Sequence, residues 1–164
     1  MNTLLLILQD AFFAAIAGIG FASISNPPKS AFKYCAIIAA AGHATRYVMM
    51  NLVGANIIPA SLVAALLIGM LAVYFSKKAK CPPETFSFPS LLPMIPGIYA
   101  YRALQALIMC MTTADESQFH HYAYLFGFNG LTTIFVVLAM VVGQLIPIHV
   151  FPRRSYSATR VAAK

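Results

Sequence analysis

The chain has 164 residues, of which 60% are hydrophobic and 9% charged, whereas about a quarter of the residues in a soluble domain are charged. The formal net charge is +7, but the basic residues lie in short clusters between long apolar blocks, a pattern typical of loops at an anionic membrane face. The composition therefore predicts an integral membrane protein, and it argues against a soluble domain and against binding of nucleic acid.

Five membrane-spanning helices are predicted, each an apolar block about as long as the hydrocarbon core of a bilayer is thick. The first block ends where Asn26, Pro27 and Pro28 cannot continue a helix. In chain order the blocks cover 3–25, 31–52, 57–76, a stretch within 88–112, and 122–148. We therefore predict an all-α membrane bundle, with 1–152 as a single transmembrane domain and 153–164 as a basic cytoplasmic tail.

The charges between the blocks predict the orientation. The second loop has no charge, and the fourth has only Asp115 and Glu116. The basic residues fall in the first loop, the third loop and the tail: Lys29, Lys33, Lys77, Lys78, Lys80, Arg153, Arg154, Arg160 and Lys164. With five spans these segments share one face, which the positive-inside rule assigns to the cytoplasm. The N-terminus is therefore predicted outside and the C-terminus inside.

Three charged residues, Asp10, Arg46 and Arg102, lie within the predicted spans. Each costs about 2.5–3.5 kcal/mol near the bilayer centre, so each is expected to face the bundle interior, a partner or water. His43 and Arg46 are three residues apart and share a helix face. Either Arg46 pairs with Asp10 and joins two helices, or at least one of Asp10, His43 and Arg46 takes part directly in substrate binding or ion coupling. In the second case Arg46 binds an anionic group, and His43 or Asp10 couples transport to an ion.

The stretch "LPMIPGIYAYRALQAL" at 92–107 combines a helix-breaking pattern with a positive charge. In one interpretation Pro93 and Pro96 break the fourth span inside the membrane. A second half-helix then begins near Gly97, with its free N–H groups available to an anion. Arg102 lies about one and a half turns further along that helix.

In the other interpretation the prolines only start a helix at the membrane edge. Residues 86–95 are then an interfacial loop, and Arg102 extends toward the surface. Tyr99 and Gln105 flank Arg102 at three-residue spacing in either case. Both interpretations keep Arg102 as a candidate for binding.

The last block contains "FGFNGLTT", in which Asn129 and Thr133 are four residues apart. Their polar groups either form an interhelical hydrogen bond or line a polar cavity. His120 and His121, near Asp115 and Glu116, are expected in a solvated loop.

The chain contains no motif of a known catalytic or nucleotide-binding site: no serine–histidine–acid arrangement, paired catalytic carboxylates, phosphate loop or HExxH motif. Its three cysteines lack metal-ligand spacing. We therefore predict no enzymatic activity, no cofactor and no metal.

Three segments, "GFASISNPP", "AAAGHATR" and "LPMIPGIYAYRAL", resemble the C-terminal-type half of the threonine/serine exporter family. The resemblance extends from about residue 9 to residue 147, and its most specific part is Pro-x-x-Pro-Gly at 93–97 followed by Tyr101. Arg102 is similar to the arginine that follows tyrosine in single-chain members. The matching motif positions are Asn26, Gly42, His43, Arg46, Pro93, Pro96, Gly97 and Tyr101.

The resemblance implies a multi-pass protein of the bacterial inner membrane. It implies a secondary exporter of small carboxylates or hydroxy-amino acids, of the succinate or the threonine/serine class, which works with a larger partner subunit. The alternative is an assembly subunit that does not itself transport. The residues and the resemblance together give as substrate-binding candidates Arg46, Pro96, Gly97, Tyr101, Arg102 and Asn129. Asp10 and His43 are the candidates for ion coupling or for a pair between helices.

Overall fold

The computed structural model describes residues 3–152, which are helical with short connections and contain no strand. Two short 3-10 turns, Lys29–Ala31 and Leu92–Met94, precede the second helix and follow the fourth. The α-helices are α1 Thr3–Ile24, α2 Phe32–Asn51, α3 Ile57–Ala79, α4 Glu84–Leu91, α5 Gly97–Thr112 and α6 Glu116–Val150. The prediction of an all-α fold is therefore confirmed, and the predicted tail at 153–164 lies outside the described residues.

The ends of α1 and α3 follow from local sequence signals. After α1, Asn26 adopts a left-handed conformation with φ 46°, which asparagine tolerates better than most residues, and two prolines follow it. At the start of α3 the side chain of Asn56 accepts a hydrogen bond of 3.2 Å from the N–H of Ile58, as expected of a helix cap. Lys80, also left-handed at φ 53°, ends α3.

Three of the described helices are long and apolar enough to cross a membrane: α1, α3 and α6. The segment Glu84–Met94 and α5 together make a fourth candidate if they form one broken span. The 20 residues of α2 reach about 30 Å at 1.5 Å per residue, but this helix is not among the apolar candidates. The described residues thus contain three or four candidate spans, and the five-span topology and its orientation stay predictions.

The structure divides into two compact units. The described part of the first unit comprises 3–94 and 139–152, and the second comprises 95–138. Helix α6 contributes its residues 116–138 to the second unit and its last residues to the first. The prediction of a single transmembrane domain over 1–152 stays a prediction.

In the first unit α1 and α2 pack through small side chains. Ala14, Gly18 and Ala22 are buried at four-residue spacing along α1. A Cβ atom at Gly18 would lie 2.7 Å from the Cβ of Ala39 and 3.3 Å from the carbonyl oxygen of Cys35. The spacing is that of a small-residue interface, which lets two membrane helices approach closely.

The substitution Gly18→Ala is therefore expected to destabilise the protein by about 1–3 kcal/mol, because the added methyl group overlaps Ala39. The measurement is thermal unfolding of the purified protein in detergent. Gly20→Ala is the matched control on α1, since a Cβ there meets no atom within 4 Å. Equal stability of the two variants would contradict the close packing of α1 on α2.

A second close contact joins α3 to the last part of α6. A Cβ at Gly69 would lie 2.5 Å from the carbonyl oxygen of Gln144, and one at Gly143 would lie 2.7 Å from that of Leu62. The two backbones therefore touch, and α6 is held against α3 by glycine on both sides.

Aromatic side chains bring the start of α2, the end of α3 and α4 together at one end of the first unit. The ring centroid of Tyr34 lies 4.8 Å from that of Phe75 and 5.9 Å from that of Phe86. The ammonium of Lys33 lies 5.0 Å from the Tyr34 ring, and that of Lys78 lies 5.9 Å from the Phe75 ring. Basic residues of the predicted first and third loops thus lie at the same end of this unit.

Candidate functional site

In the first unit Asp10 of α1 pairs with His43 of α2. The Nδ1 atom of His43 lies 3.1 Å from a carboxylate oxygen of Asp10, and their side chains are 13% and 35% exposed. His43 lies one turn beyond Ala39, so it continues the line of α2 residues that faces α1. Within 3–152 Arg46 forms no ion pair, so the structure joins Asp10 to His43 rather than to Arg46.

The second ring nitrogen of His43 is buried and has no hydrogen-bond partner among the described residues. When Nδ1–H donates to Asp10, Nε2 carries a lone pair and can accept a proton. Buried polar atoms without a partner cost about 1–3 kcal/mol, and each one calls for an explanation. A hydrogen-bond donor or a cation bound at Nε2 would satisfy that lone pair.

Arg46 contacts the segment that precedes the break. Its Nη1 donates a hydrogen bond of 2.6 Å to the carbonyl oxygen of Met94, the last residue of the 3-10 turn. One turn earlier on α2, a Cβ at Gly42 would meet the side chains of Ile68 and Met94. The side of α2 that carries Gly42 and Arg46 therefore packs on α3 and on this turn. One hydrogen bond thus joins Arg46 of α2 to Met94, which lies between Pro93 and Pro96.

The helix is interrupted between Met94 and Gly97. The segment 84–94 is helical, in α4 and then in the 3-10 turn, where the edge interpretation expected a loop over 86–95. Buried Pro96 caps α5, and the N–H of Gly97 donates to the carbonyl oxygen of Ile95 at 2.8 Å. The N–H of Tyr99 donates to the carbonyl oxygen of Pro96 at 3.1 Å. Two N–H groups at the start of α5 are thus already bonded, which leaves fewer donors for an anion there.

In the second unit α5 and the first part of α6 border a concavity of about 440 Å³, which we call the α5–α6 concavity. The lining residues on α5 are one, three or four positions apart and so form one face of that helix. Those on α6 also form one face. The lining residues are Arg102, Gln105, Ala106, Met109, Tyr122, Leu125, Phe128 and Asn129. Two of the predicted site residues, Arg102 and Asn129, therefore line the same space.

Arg102 is exposed and has no hydrogen bond, ion pair or ring contact within 3–152. A guanidinium group has five donors and keeps its charge at all relevant pH values. The hydrogen-bond donors of the Arg102 guanidinium thus have no partner within 3–152, and they lie at the wall of a concavity of metabolite size.

Asn129 is held from within α6. Its side chain, 5% exposed, donates a hydrogen bond of 2.7 Å to the carbonyl oxygen of Leu125. Thr133 donates in turn to the carbonyl oxygen of Asn129 at 2.9 Å. Both bonds lie within α6, so neither is the hydrogen bond between helices that the sequence suggested as one alternative. Asn129 therefore has a fixed position at the concavity.

Tyr101 does not line this concavity: it is 66% exposed and borders an adjoining depression with Leu104 and Ile108, which shares Gln105 and Met109 with the concavity. Sequence reasoning noted Gln105 only as a neighbour of Arg102, and it missed Tyr122 and the apolar lining. Helical spacing from Arg102 on α5 and from Asn129 on α6 could have found these residues.

The predicted loop around His120 and His121 is wrong, because both residues belong to α6. The carboxylate of Asp115 accepts a hydrogen bond of 3.0 Å from the N–H of Ser117 and caps the helix, which starts at Glu116. Within 3–152 no three histidine, cysteine or carboxylate side chains are grouped as metal ligands.

Long apolar helices that carry a half-buried aspartate–histidine pair and, within 3–152, an arginine without a partner are typical of a multi-pass membrane protein with polar sites on its helices. The family described as "Threonine/Serine exporter, ThrE" matches residues 10–150, and the chain therefore belongs to the threonine/serine exporter family.

An uncharacterized protein of Haemophilus influenzae (strain ATCC 51907 / DSM 11121 / KW20 / Rd) is 35% identical to the chain over 161 residues. The match covers 92% of this chain and 50% of the relative, so the chain spans about half the length of that relative. No solved structure is significantly similar to the chain.

Proposed function

We propose that the chain is the membrane half of a secondary exporter for small carboxylates or hydroxy-amino acids, of the threonine/serine or succinate class. The observation that carries this proposal is the guanidinium of Arg102, which has no partner within 3–152, at the α5–α6 concavity. A charge at membrane depth costs about 2.5–3.5 kcal/mol, and a bound carboxylate would offset that cost.

Arg102 binds the substrate carboxylate. Its planar fork matches a carboxylate in a bidentate manner, and such charge-assisted bonds are about twice as strong as neutral ones. Gln105, one turn along α5, lines the same wall and can bond a hydroxyl or amino group of the substrate. Asn129 closes the opposite wall, while Met109 and Leu125 limit the size of what enters.

Pro96 and Gly97 position the site rather than bind the substrate, because they start α5, on which Arg102 lies five residues later. In the first unit Arg46 holds the carbonyl oxygen of Met94 through a hydrogen bond. Tyr101, exposed on the neighbouring face of α5, contacts lipid or the partner subunit.

The Asp10–His43 pair couples transport to an ion. It combines a carboxylate with an imidazole whose free nitrogen is buried without a partner among the described residues, and histidine is the side chain that most readily changes charge near neutral pH.

The chain works with a larger partner subunit, in the bacterial inner membrane. The relative from Haemophilus influenzae is about twice as long as the region matched here, so a relative of this family contains a further segment of similar length. In the proposed topology α1, α2, α3, the α4–α5 pair and α6 make five spans. The N-terminus lies outside, and the basic end of the first unit faces the cytoplasm.

The decisive experiment is metabolite export from cells that lack the locus. The chain is supplied alone, with a neighbouring larger subunit, or not at all, and extracellular threonine, serine and succinate are measured. We expect export of at least one of the three only when both subunits are present. Unchanged levels in every combination, with both subunits detected in the membrane, would refute the exporter. Co-purification of the subunits without export would favour the assembly role.

A further inference from the structure

A second concavity lies in the first unit, at the end of α3 where the basic residues gather, and its volume is about 490 Å³. We call it the α3 end groove. It shares no residue with the α5–α6 concavity or with the Asp10–His43 pair, and none of its described lining residues is acidic. Its lining residues are Met70, Val73, Tyr74, Lys77, Lys78 and Phe151.

The groove changes from apolar to cationic along the helix axis. Lys77 and Lys78 belong to the last turn of α3, whereas Met70 lies seven residues earlier, about 10 Å away at 1.5 Å per residue. If α3 spans the membrane, the lysines would lie at the level of the membrane surface and Met70 within the hydrocarbon. Val73 and Phe151, which lies just beyond the last residue of α6, add further apolar side chains to the groove.

The ammonium of Lys78 is exposed at the groove and is oriented by a neighbouring tyrosine. Its Nζ donates a hydrogen bond of 3.0 Å to the hydroxyl of Tyr74 and lies 4.6 Å from the centre of that ring. An ammonium has three donors, and this bond uses one of them. Tyr74 is itself 58% exposed, in the position that tyrosine favours at membrane interfaces.

We propose that the α3 end groove is a binding site for an anionic phospholipid. The phosphate lies between Lys77 and Lys78, and an acyl chain follows Met70, Val73 and Phe151 into the membrane. Two cations with no carboxylate in the described lining match an anionic headgroup better than a zwitterionic one, and basic pockets at the ends of membrane helices bind such headgroups. The apolar part of the groove has no use for a small free anion, so a lipid fits the whole of it.

The test uses the purified full chain in bilayer discs of mixed phosphatidylglycerol and phosphatidylcholine, followed by native mass spectrometry of the retained lipid. We expect the unchanged protein to retain phosphatidylglycerol preferentially. The double variant Lys77→Gln, Lys78→Gln should lose roughly 30-fold in this preference, since each lysine near the surface contributes on the order of 1 kcal/mol and 1.4 kcal/mol is tenfold. The matched control Lys29→Gln, Lys33→Gln removes the same charge from the 3-10 turn and the start of α2 and should keep the preference.

An equal loss in both double variants would show general attraction of anionic lipid to a basic surface and would refute a specific site in the groove. Displacement of the lipid by free glycerol phosphate would show that the groove binds only a phosphate group and would refute a lipid as its occupant. Met70→Trp fills the apolar part without a change of charge and should also lower retention, whereas unchanged retention would refute the acyl-chain position. Both lysines are exposed, so their replacement leaves the core intact, and none of these measurements depends on export.

Discussion

The variant Arg102→Gln is expected, under the proposed exporter function, to lower the apparent affinity for a carboxylate substrate about 10- to 100-fold. Hydrogen bonds to charged groups are worth about 1.5–3 kcal/mol, and each 1.4 kcal/mol is about a tenfold change in affinity. Glutamine keeps a polar side chain but removes the charge and the bidentate fork. The measurement is the rate of export against internal substrate concentration, from vesicles that contain both subunits.

Two companion variants make this result specific to the α5–α6 concavity. Arg102→Lys keeps the charge but loses the planar fork, so its affinity should lie between those of the unchanged protein and Arg102→Gln. Thr112→Val, on the same helix, is the control: its hydroxyl donates only to carbonyl oxygens of α5, and its affinity should not change. Wild-type affinity in Arg102→Gln would show that Arg102 does not contact the substrate.

The variant Asp10→Asn is expected to abolish net export against a substrate gradient while leaving substrate exchange across the membrane largely intact. Exchange needs the substrate site alone, whereas export against a gradient also needs the coupled ion. The asparagine side chain is close in size to that of aspartate but cannot carry the charge that pairs with a protonated His43. Accumulation and exchange are compared in the same vesicles, with His43→Gln expected to behave alike.

A structural role of the pair predicts a different outcome. If Asp10 and His43 only hold α1 against α2, the double variant with the two residues swapped, Asp10→His with His43→Asp, restores both thermal stability and export. If the pair couples an ion through the buried nitrogen of His43, the swapped variant regains stability but not net export. Ser23→Ala on α1 is the matched control, because its hydroxyl donates only within its own helix, and it should leave every readout unchanged.

Much of the fold could be predicted from residues that act locally. Apolar blocks must be helical in a membrane because each backbone group has to be bonded within its own segment. The two prolines after Asn26 and the cap at Asn56 therefore mark helix ends whatever the rest of the chain does. The interruption before Gly97 follows in the same way, since proline cannot occupy the interior of a helix without loss of a hydrogen bond.

Local signals misled where two of them competed. Around His120 the polar residues resemble a loop, but the cap at Asp115 starts α6 there. Whether such a polar stretch is helical depends on the cap before it and on the apolar residues after it, and both lie outside the stretch itself.

The sequence by itself determined the helices, the membrane class and the short list of polar residues on those helices. Tertiary structure alone decided their partners. His43 and Arg46 are three residues apart on one side of α2, but packing on α1 selects His43 for Asp10, and packing on the 3-10 turn selects Arg46 for Met94. Likewise only the approach of α6 to α5 puts Asn129 in the concavity with Arg102.

The partner of each polar side chain depends on the orientation of its helix about the helix axis. That orientation is set by small residues such as Gly18 and Gly42, whose close contacts with Ala39 and Ile68 come from other helices of the chain. A periodic pattern within one helix shows which residues share a face, but the neighbour that covers the face is fixed only when the helices pack.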